Sequence, residues 1–214
     1  MNRILSSVAL AFICLFPVYG QMAWNAKYQN YFNQYKDLAI EQMLKYRIPA
    51  SITLAQGVFE SGAGYSDLAR NGNNHFGIKC HGWQGRKTYH DDDARNECFR
   101  AYDSPGQSYE DHSKFLVQSQ RYRRLFSLKI TDYKGWAHGL KACGYATNPA
   151  YAKKLIDIIE LYKLYKYDSA HGYDKFMAKH ASKDSPALNG GTLHPIKMYN
   201  KNYYIIARNG DTFK

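Results

Sequence analysis

The segment 50–60 is the feature that most constrains the fold, because it reads as an almost wholly apolar helix. The residues that would cover most of its circumference are Ile52, Ala55, Val58 and Phe59. A helix that is apolar all round has to be buried on nearly all sides. Glu60 closes this run, and Ser61-Gly62-Ala63-Gly64 then supplies the glycines that end a helix. The segment therefore predicts a central helix surrounded by other elements.

Helical periodicity continues on both sides of this segment. The further stretches with apolar residues at helical spacing lie at 24–46 and after Ser104, Asp132 and Asn148. Ser104-Pro105-Gly106-Gln107 is typical of a helix start, since it combines a capping box with proline at the first helical position. Residues 71–83 lack a helical period, whereas 87–93 and 97–102 flank a short turn as the strands of a β-hairpin would. We predict a mainly α single domain over residues 21–168, with a small β-hairpin lobe.

The two ends of the chain differ from this domain. Residues 1–20 have the pattern of a secretory signal peptide, in which Arg3 precedes the apolar run 4–16. A membrane anchor is the alternative, but the run is shorter than the roughly 20 apolar residues that a spanning helix needs. We expect an exported protein (periplasmic, cell-surface or secreted) without integral membrane association. Composition also predicts a linker over 169–198 and a strand and turn within 199–214.

The chain is strongly basic, with 29 Lys and Arg residues against 18 Asp and Glu residues and a formal net charge of +11. Such an excess favours anionic partners, namely nucleic acid, an acidic membrane surface or an anionic polymer. Nucleic acid does not fit an exported protein whose basic residues are scattered. Their one cluster, 121–124, is interpreted as a solvated helix end. We expect a monomer that needs no cofactor and no metal ion.

Three cysteines remain once the signal peptide is removed: Cys80, Cys98 and Cys143. In an oxidising compartment the local pair, Cys80 and Cys98, is expected to form a disulfide at the base of the acidic excursion between them. Because three is an odd number, three free buried thiols are the alternative. A zinc site is not favoured, since no Cys-x-x-Cys spacing occurs.

Glu60 is the first candidate for catalysis. A carboxylate at a helix C-terminus meets the negative end of the helix dipole, and partial burial also disfavours its charge, so its pKa should rise. A carboxyl group that stays protonated near neutral pH is what a general acid requires. A solvated glutamate at a helix end is the alternative. The apolar helix before Glu60 and the glycines after it, which let a ligand approach the backbone, favour catalysis.

The acidic run Asp91-Asp92-Asp93 is the second candidate, at the tip of the predicted hairpin. Glycoside hydrolysis usually pairs a proton donor with a second carboxylate, which Asp91 or Asp92 could hold over a cleft. A solvated turn is the alternative for three adjacent aspartates. Calcium binding is not favoured, because the spacing lacks the alternating ligands of a calcium loop.

Side chains that could bind a sugar surround these acids in the sequence. Aromatic faces stack on the apolar faces of sugars, and amide groups hydrogen-bond to hydroxyl and acetamido groups. The candidate substrate-binding residues are Asn74, His75, Phe76, Trp83 and Tyr151. Tyr145 stands apart from the many tyrosines that fill a helical core, because it follows Gly144 in a loop.

Four motifs, which include several of these candidate residues, follow one another along the chain. The motifs are Glu60-Ser61-Gly62 at the end of 50–62, Asn74-His75-Phe76-Gly77, Phe99-Arg100-Ala101-Tyr102 and Gly144-Tyr145-Ala146-Thr147-Asn148-Pro149. Over roughly residues 31–165 the chain resembles the glucosaminidase domain family of peptidoglycan hydrolases, glycoside hydrolase family seventy-three. The resemblance implies a lysozyme-like α fold with a hairpin lobe, and cleavage of the β-1,4 bond after N-acetylglucosamine.

The resemblance also implies roles for single residues. Glu60 matches the family's catalytic acid, and Tyr145 matches its active-site tyrosine. The family often has a second glutamate on a longer hairpin, where this chain has aspartates, so the second carboxylate is assigned to Asp91 or Asp92. The mechanism stays open between water activation by that aspartate and assistance by the substrate's acetamido group. Residues 203–213 resemble the opening of a LysM peptidoglycan-binding module, which we expect to be partial.

The sequence thus predicts an exported hydrolase of peptidoglycan glycan strands, with Glu60 as the acid. Two alternatives stay open. A lytic transglycosylase would use a comparable acid but would let the sugar's own hydroxyl attack. A wall-binding or scaffold protein would keep the fold without catalysis.

Overall fold

A computed structural model describes residues 22–92 and 94–169, together with the backbone of two short strands at Lys197–Tyr199 and Asn202–Tyr204. The chain divides into two compact units between residues 173 and 174, and each unit is described by itself. The predicted signal peptide, residues 1–20, and most of the predicted linker lie outside the described residues.

The first unit is mainly helical. Its α-helices are α1 (Ala26–Tyr46), α2 (Ala50–Glu60), α3 (Asp67–Gly72), α4 (Pro105–Gln118), α5 (Tyr133–Ala142) and α6 (Tyr151–Leu161). The 3-10 helices Gln120–Ser127 and Leu164–Asp168 follow α4 and α6. Strands β1 (Lys87–His90) and β2 (Glu97–Arg100) form an antiparallel hairpin. The predicted fold class, a mainly α domain with a small hairpin lobe, is confirmed.

Helix α2 is the centre of the unit, as its composition predicts. Its residues from Ala50 to Val58 are all buried, and it packs against α1, α5, α6 and the last 3-10 helix. Gly57 allows the close approach of α1, since a Cβ there would lie 2.5 Å from the Tyr31 hydroxyl oxygen. The core is therefore built around the helix that ends in Glu60.

The N-terminus of α2 is capped from the far end of the domain. The Asp168 carboxylate accepts hydrogen bonds from the Ser51 backbone N–H at 2.8 Å and from the Ser51 hydroxyl at 2.5 Å. Pro49 precedes the helix and offers no side-chain cap of its own. The last described 3-10 helix thus completes the central helix and belongs to the core.

Two local expectations differ from the structure. Helix α3 begins at the Ser66 cap, where the sequence analysis placed no element. Tyr165 belongs to the apolar residues at helical spacing after Asn148, which were expected to face the core, but it is 40% exposed. The reason is that Lys163 takes a left-handed conformation (φ 55°), so α6 ends at Leu161 and the chain turns before Tyr165.

The second unit contains a two-stranded antiparallel hairpin, β3 (Lys197–Tyr199) and β4 (Asn202–Tyr204), in which the backbone of Met198 is paired with that of Tyr203. Strand β4 lies within 199–214, where the sequence predicts a strand and a turn, and residues 205–214 lie outside the described residues. The resemblance to a LysM module stays a prediction. Within the described residues, no helix combines the length and the apolar character needed to cross a bilayer.

Candidate active site

Glu60 is the last residue of α2, and the turn that follows it is tightly held. The Ser61 hydroxyl donates to the Gly57 carbonyl at 2.5 Å and accepts from the Gly64 N–H at 2.8 Å. Burial raises the pKa of Glu60 to about 7, the negative charge of Asp92 adds to the rise, and a hydrogen bond from Tyr151 opposes it. Near neutral pH a large fraction of Glu60 is therefore protonated.

Tyr151 is the direct hydrogen-bond partner of Glu60. Its hydroxyl donates to Glu60 Oε1 at 3.0 Å and accepts from Gln56 Nε2 at 3.1 Å. Gln56 and Glu60 are one helical turn apart, so α2 presents both to the first residue of α6. The side chain of Tyr151 is fully buried. This chain of hydrogen bonds fixes the orientation of the carboxyl group.

Tyr145 lies beside this pair. Gly144, in a left-handed conformation (φ 73°), ends α5 and turns the chain toward Tyr145. The Tyr145 ring stacks on that of Tyr151, with centroids 5.7 Å apart and planes 23° apart. Burial and the charge of Glu60 raise the pKa of Tyr145, so its hydroxyl stays protonated. The loop placement inferred from the sequence brings Tyr145 next to the candidate acid.

A cleft of about 790 Å³ opens over these residues. Its lining comes from the end of α2, from the hairpin region and from the loop between α5 and α6. The carboxylates among the lining residues that the structure describes are Glu60, Asp67 and Asp92. The cleft therefore brings the candidate acid and one of the two candidate hairpin aspartates to a common space.

The two hairpin aspartates have different surroundings. Asp92 lines the cleft, and its Oδ2 lies 3.4 Å from Lys79 Nζ, which Glu97 also holds at 3.0 Å. Asp91 is exposed and is not among the lining residues; its Oδ1 accepts from the Asn96 N–H at 2.7 Å. Asp91 therefore closes the hairpin turn, and Asp92 is the one of the two that lines the cleft.

Two of the predicted substrate-binding residues are structural. Asn74 is buried, and its amide donates to the carbonyls of Ile78 and Arg100 at 3.0 and 2.9 Å. His75 is buried as well, and its Nδ1 is hydrogen-bonded to the Tyr31 hydroxyl at 3.0 Å. Burial lowers the pKa of His75 to about 4, so the ring is neutral at pH 7. Neither side chain lines the cleft.

Of the three other predicted substrate-binding residues, two line the cleft and one does not. Phe76 and Tyr151 line the cleft. Trp83 does not; its indole N–H donates to the Arg86 carbonyl at 2.9 Å, and the Arg100 guanidinium lies 4.9 Å from its ring centroid. Trp83 therefore packs against the hairpin strands instead of facing a ligand in the cleft.

Cys80 and Cys98 are joined by a disulfide at the base of the hairpin. The Cys80 N–H also donates to the Cys98 carbonyl at 2.9 Å. Cys143 is a buried free thiol, and Arg124 Nε lies 3.2 Å from its sulfur. The covalent link ties the loop that carries Lys79 to the strand that follows Asp92.

Sequence reasoning missed three residues of the site. Gln56 looked like one more residue of a buried helix, but its position one turn before Glu60 could have indicated its role. Asp67 follows a capping serine and lines the cleft. Arg121, interpreted as part of a solvated helix end, is exposed but lines the cleft as well. A cluster of basic residues in the sequence does not indicate which of its arginines lines the cleft.

Comparison with known proteins agrees with this geometry. Residues 36–164 match the family described as mannosyl-glycoprotein endo-beta-N-acetylglucosaminidase. The match covers more than half of the chain, and the chain belongs to this family of glycoside hydrolases.

Among curated proteins, the chain is 34% identical over 154 residues to the exo-glucosaminidase LytG of Bacillus subtilis, covering 66% of this chain and 54% of that protein. It is 33% identical over 129 residues to the peptidoglycan hydrolase FlgJ of Escherichia coli, covering 54% of this chain and 41% of that protein. The chain thus spans about half the length of the curated relatives it matches.

Solved structures show the same fold. The glycoside hydrolase domain of Salmonella typhimurium FlgJ aligns with a TM-score of 0.55 and 26% identity, covering 73% of this chain and 98% of that domain. A peptidoglycan hydrolase from Sphingomonas sp. A1 aligns with a TM-score of 0.54 and 30% identity, covering 66% and 96%. The lysozyme-like domain architecture predicted from the sequence is therefore confirmed.

Proposed function

We propose that this chain is an exported peptidoglycan hydrolase that cleaves the β-1,4 bond after N-acetylglucosamine, with Glu60 as the general acid. One observation carries the proposal. Glu60 is a partly buried carboxyl group with a pKa raised to about 7, and it faces a cleft large enough for part of a glycan strand. The names of the relatives support the substrate class, since LytG is a glucosaminidase and FlgJ a peptidoglycan hydrolase.

Protonated Glu60 donates its proton to the glycosidic oxygen as the bond to the sugar carbon breaks, and positive charge develops on that sugar. Tyr151 donates to Oε1, which leaves Oε2 as the oxygen that carries the proton. Once the proton has left, the same hydrogen bond stabilises the carboxylate. Tyr151 therefore contacts both forms of Glu60. Because its hydrogen bond stabilises the ionised form, it lowers the pKa that burial raises.

Asp92 is the second carboxylate in this proposal. It can accept a proton from an attacking water, or its charge can stabilise the positive sugar while the acetamido group of the substrate assists. Asp67 also lines the cleft, but the charge that acts on Glu60 is that of Asp92. Asp91 is engaged in the turn through Asn96.

Tyr145 is the further cleft residue that we assign to contact with the sugar. The protonated hydroxyl of Tyr145 is a donor beside Glu60, and we assign it to positioning the sugar at the scissile bond. Phe76 and Tyr151 line the cleft but are buried, so we assign them to shaping its wall and not to stacking on the sugar. The basic charge of the chain suits an anionic wall polymer, which also fits an exported protein.

Mass spectrometry of digested peptidoglycan tests the function. New reducing ends on N-acetylglucosamine are the expected product. Anhydro-muramic ends would instead identify a lytic transglycosylase, the second candidate. We expect Glu60→Gln to lower the rate at least about a hundredfold, the scale of a lost general acid. Equal clearing of walls by the wild type and by Glu60→Gln would leave only the wall-binding alternative.

A set of matched aspartate variants tests the second carboxylate. Asp92→Asn should lower kcat about a hundredfold or more if this carboxylate activates water. Asp91→Asn keeps the oxygen that accepts from Asn96 and should retain most activity, and Asp67→Asn controls for loss of a cleft charge. A larger loss in either control than in Asp92→Asn would reject the assignment.

A further inference from the structure

Arg121 is a cation of the cleft that the proposed reaction does not use. It lies on the 3-10 helix Gln120–Ser127, where residues three apart share a face. Arg121 Nη1 donates to the Gly144 carbonyl at 3.2 Å, and Arg124, three residues on, contacts Cys143. Both arginines therefore face the end of α5, and Arg121 is the one that lines the cleft.

The guanidinium is held in place but keeps most of its donors open. Its carbon lies 5.7 Å from the ring centroid of Tyr122, which is buried beneath it. A guanidinium has five N–H donors; the Gly144 carbonyl accepts from one of them, and the guanidinium also interacts with the Tyr122 hydroxyl. Within residues 22–92 and 94–169, no ion pair involves Arg121.

Lys79, the other lysine or arginine among the described lining residues, contrasts with this arrangement. Its ammonium lies 3.0 Å from Glu97 and 3.4 Å from Asp92. Two carboxylates therefore offset the charge of Lys79 within the protein. Among the described residues the charge of Arg121 has no such partner, so it is available to an anionic group of a ligand in the cleft.

Three aromatic rings in successive contact connect Arg121 with Glu60. Tyr122 and Tyr145 have centroids 6.1 Å apart, Tyr145 and Tyr151 are 5.7 Å apart, and Tyr151 is hydrogen-bonded to Glu60. Arg121 thus lies in the same cleft as Glu60, next to the first of these three rings. In the proposed reaction, a strand that extends along the cleft from Glu60 toward Arg121 would bring the sugar beside the cleaved residue to this region.

Peptidoglycan differs from chitin by one group on alternate sugars. Every second residue is N-acetylmuramic acid, which carries a lactyl ether on O3. The lactyl group ends in a carboxylate when the strand is free of peptide, and otherwise it carries a peptide with carboxylates of its own. Cleavage after N-acetylglucosamine puts a muramyl residue directly beside the cleaved bond.

We propose that Arg121 is a specificity residue that binds a carboxylate carried by the muramyl residue of the substrate. The inference rests on the proposed function, because it takes the substrate to be a peptidoglycan strand. Arginine suits the task, since its planar fork matches a carboxylate with two parallel hydrogen bonds.

Binding measured without turnover tests this. In a Glu60→Gln background, Kd is measured for peptide-free glycan strands, for peptide-bearing strands and for N-acetylglucosamine oligomers of equal length. Adding Arg121→Gln should weaken binding of a carboxylate-bearing strand about ten- to hundredfold more than binding of the neutral oligomer. A loss confined to the peptide-free strand identifies the lactyl carboxylate, and a loss confined to the peptide-bearing strand identifies the peptide.

Arg123→Gln is the matched control, because it removes the same charge from the same 3-10 helix at an exposed position that does not line the cleft. It should change none of the three Kd values by more than about twofold. Arg121→Lys should recover part of the lost affinity, since it restores the charge without the fork. In the active enzyme, most of the Arg121→Gln effect on glycan strands should fall on KM.

Several outcomes would overturn the inference. Equal weakening for charged and neutral strands would mean that Arg121 only supports the Tyr145 loop through Gly144. Equal effects of Arg121→Gln and Arg123→Gln would mean a general charge effect. Absence of N-acetylglucosamine-ended products from the wild type would reject the proposed reaction, whereas the Kd comparison would still decide the role of Arg121.

Discussion

Tyr151 and Glu60, 91 residues apart in the chain, share a hydrogen bond of 3.0 Å in which the tyrosine hydroxyl donates. This bond favours the ionised carboxylate, whereas burial and Asp92 favour the protonated acid. Burial is the larger effect, and the balance leaves the pKa of Glu60 at about 7. The environment of Glu60 thus keeps a large fraction of it protonated near neutral pH, while the hydrogen bond from Tyr151 stabilises its ionised form.

The alkaline side of the pH profile should report this balance. Since Glu60 must be protonated to act, kcat/KM should fall as the pH rises through about 7. Tyr151→Phe removes the hydrogen bond that favours the ionised form, so the pKa of Glu60 rises and the alkaline limb moves up by about one pH unit. Initial rates on soluble glycan strands between pH 5 and 9, in steps of about half a pH unit, give the pH at which kcat/KM falls on the alkaline side.

Tyr145→Phe is the control for this shift. Tyr145 stacks on Tyr151, and the hydrogen bond that Glu60 accepts comes from Tyr151. The variant should lose activity while its alkaline limb stays in place. A limb that moves downward in Tyr151→Phe would contradict the assigned direction of the hydrogen bond's effect.

Glu60 should also lower the stability of the fold at alkaline pH. Its pKa is about 7 in the folded protein against an ordinary value of 4.5, so the unfolded chain ionises first as the pH rises. The resulting loss in the free energy of unfolding begins above about pH 4.5 and is complete above about pH 7, where it reaches at most about 3 kcal/mol. Glu60→Gln removes this cost, so urea unfolding should show the variant more stable than the wild type at pH 8 and closer to it at pH 4.

The difference between the two proteins isolates Glu60. Asp168 also has a pKa raised to about 7, but it is present in both and its contribution cancels. A Glu60→Gln variant whose advantage is the same at both pH values would show that the gain comes from packing and not from ionisation.

Local pattern was sufficient for the central helix and for the position of Glu60 at its end. An apolar run at helical spacing with glycines after it predicts a buried helix that ends there, and the structure has α2 ending at Glu60. The hairpin followed equally from two short segments around a turn. These features depend on residues close together in the chain, so the sequence carries them.

The contacts that the sequence could not supply are long-range. Asn74 and His75 look like sugar-binding groups until the fold brings Arg100 and Tyr31 to them. Adjacent aspartates are equivalent in sequence, and only the turn geometry turns Asp91 toward Asn96 and leaves Asp92 in the cleft. The same holds for Arg121, whose direction depends on a 3-10 helix packed against α5.

The disulfide should stabilise the hairpin lobe and, through it, the position of Asp92. Cys80 and Cys98 are 18 residues apart, and a loop of about that length is worth about 3 kcal/mol in the unfolded chain. The double variant Cys80→Ser and Cys98→Ser should lose about that much stability in urea unfolding, and its activity should fall as well. Cys143→Ala, which removes the free thiol, separates this effect from a general loss of sulfur.

Reductant provides an independent test of the same bond. Wild-type Tm should fall on treatment with a strong thiol reductant, whereas the double serine variant should show no further change. A wild-type protein whose Tm and activity are both indifferent to reductant would contradict a stabilising role for this bond.

Asp168 should stabilise the central helix from the far end of the domain. Asp168→Ala leaves the buried Ser51 N–H and hydroxyl without their acceptor, at a cost of about 2–4 kcal/mol in urea unfolding at pH 7. Asp168→Asn keeps an acceptor oxygen and should lose less than Asp168→Ala. Because burial raises the pKa of Asp168 to about 7, the wild-type carboxylate weakens the fold as the pH rises from about 4 to 7, and the asparagine variant keeps only the part of this slope that comes from Glu60. Equal stability of the alanine variant and the wild type would show that α2 needs no cap from the end of the domain.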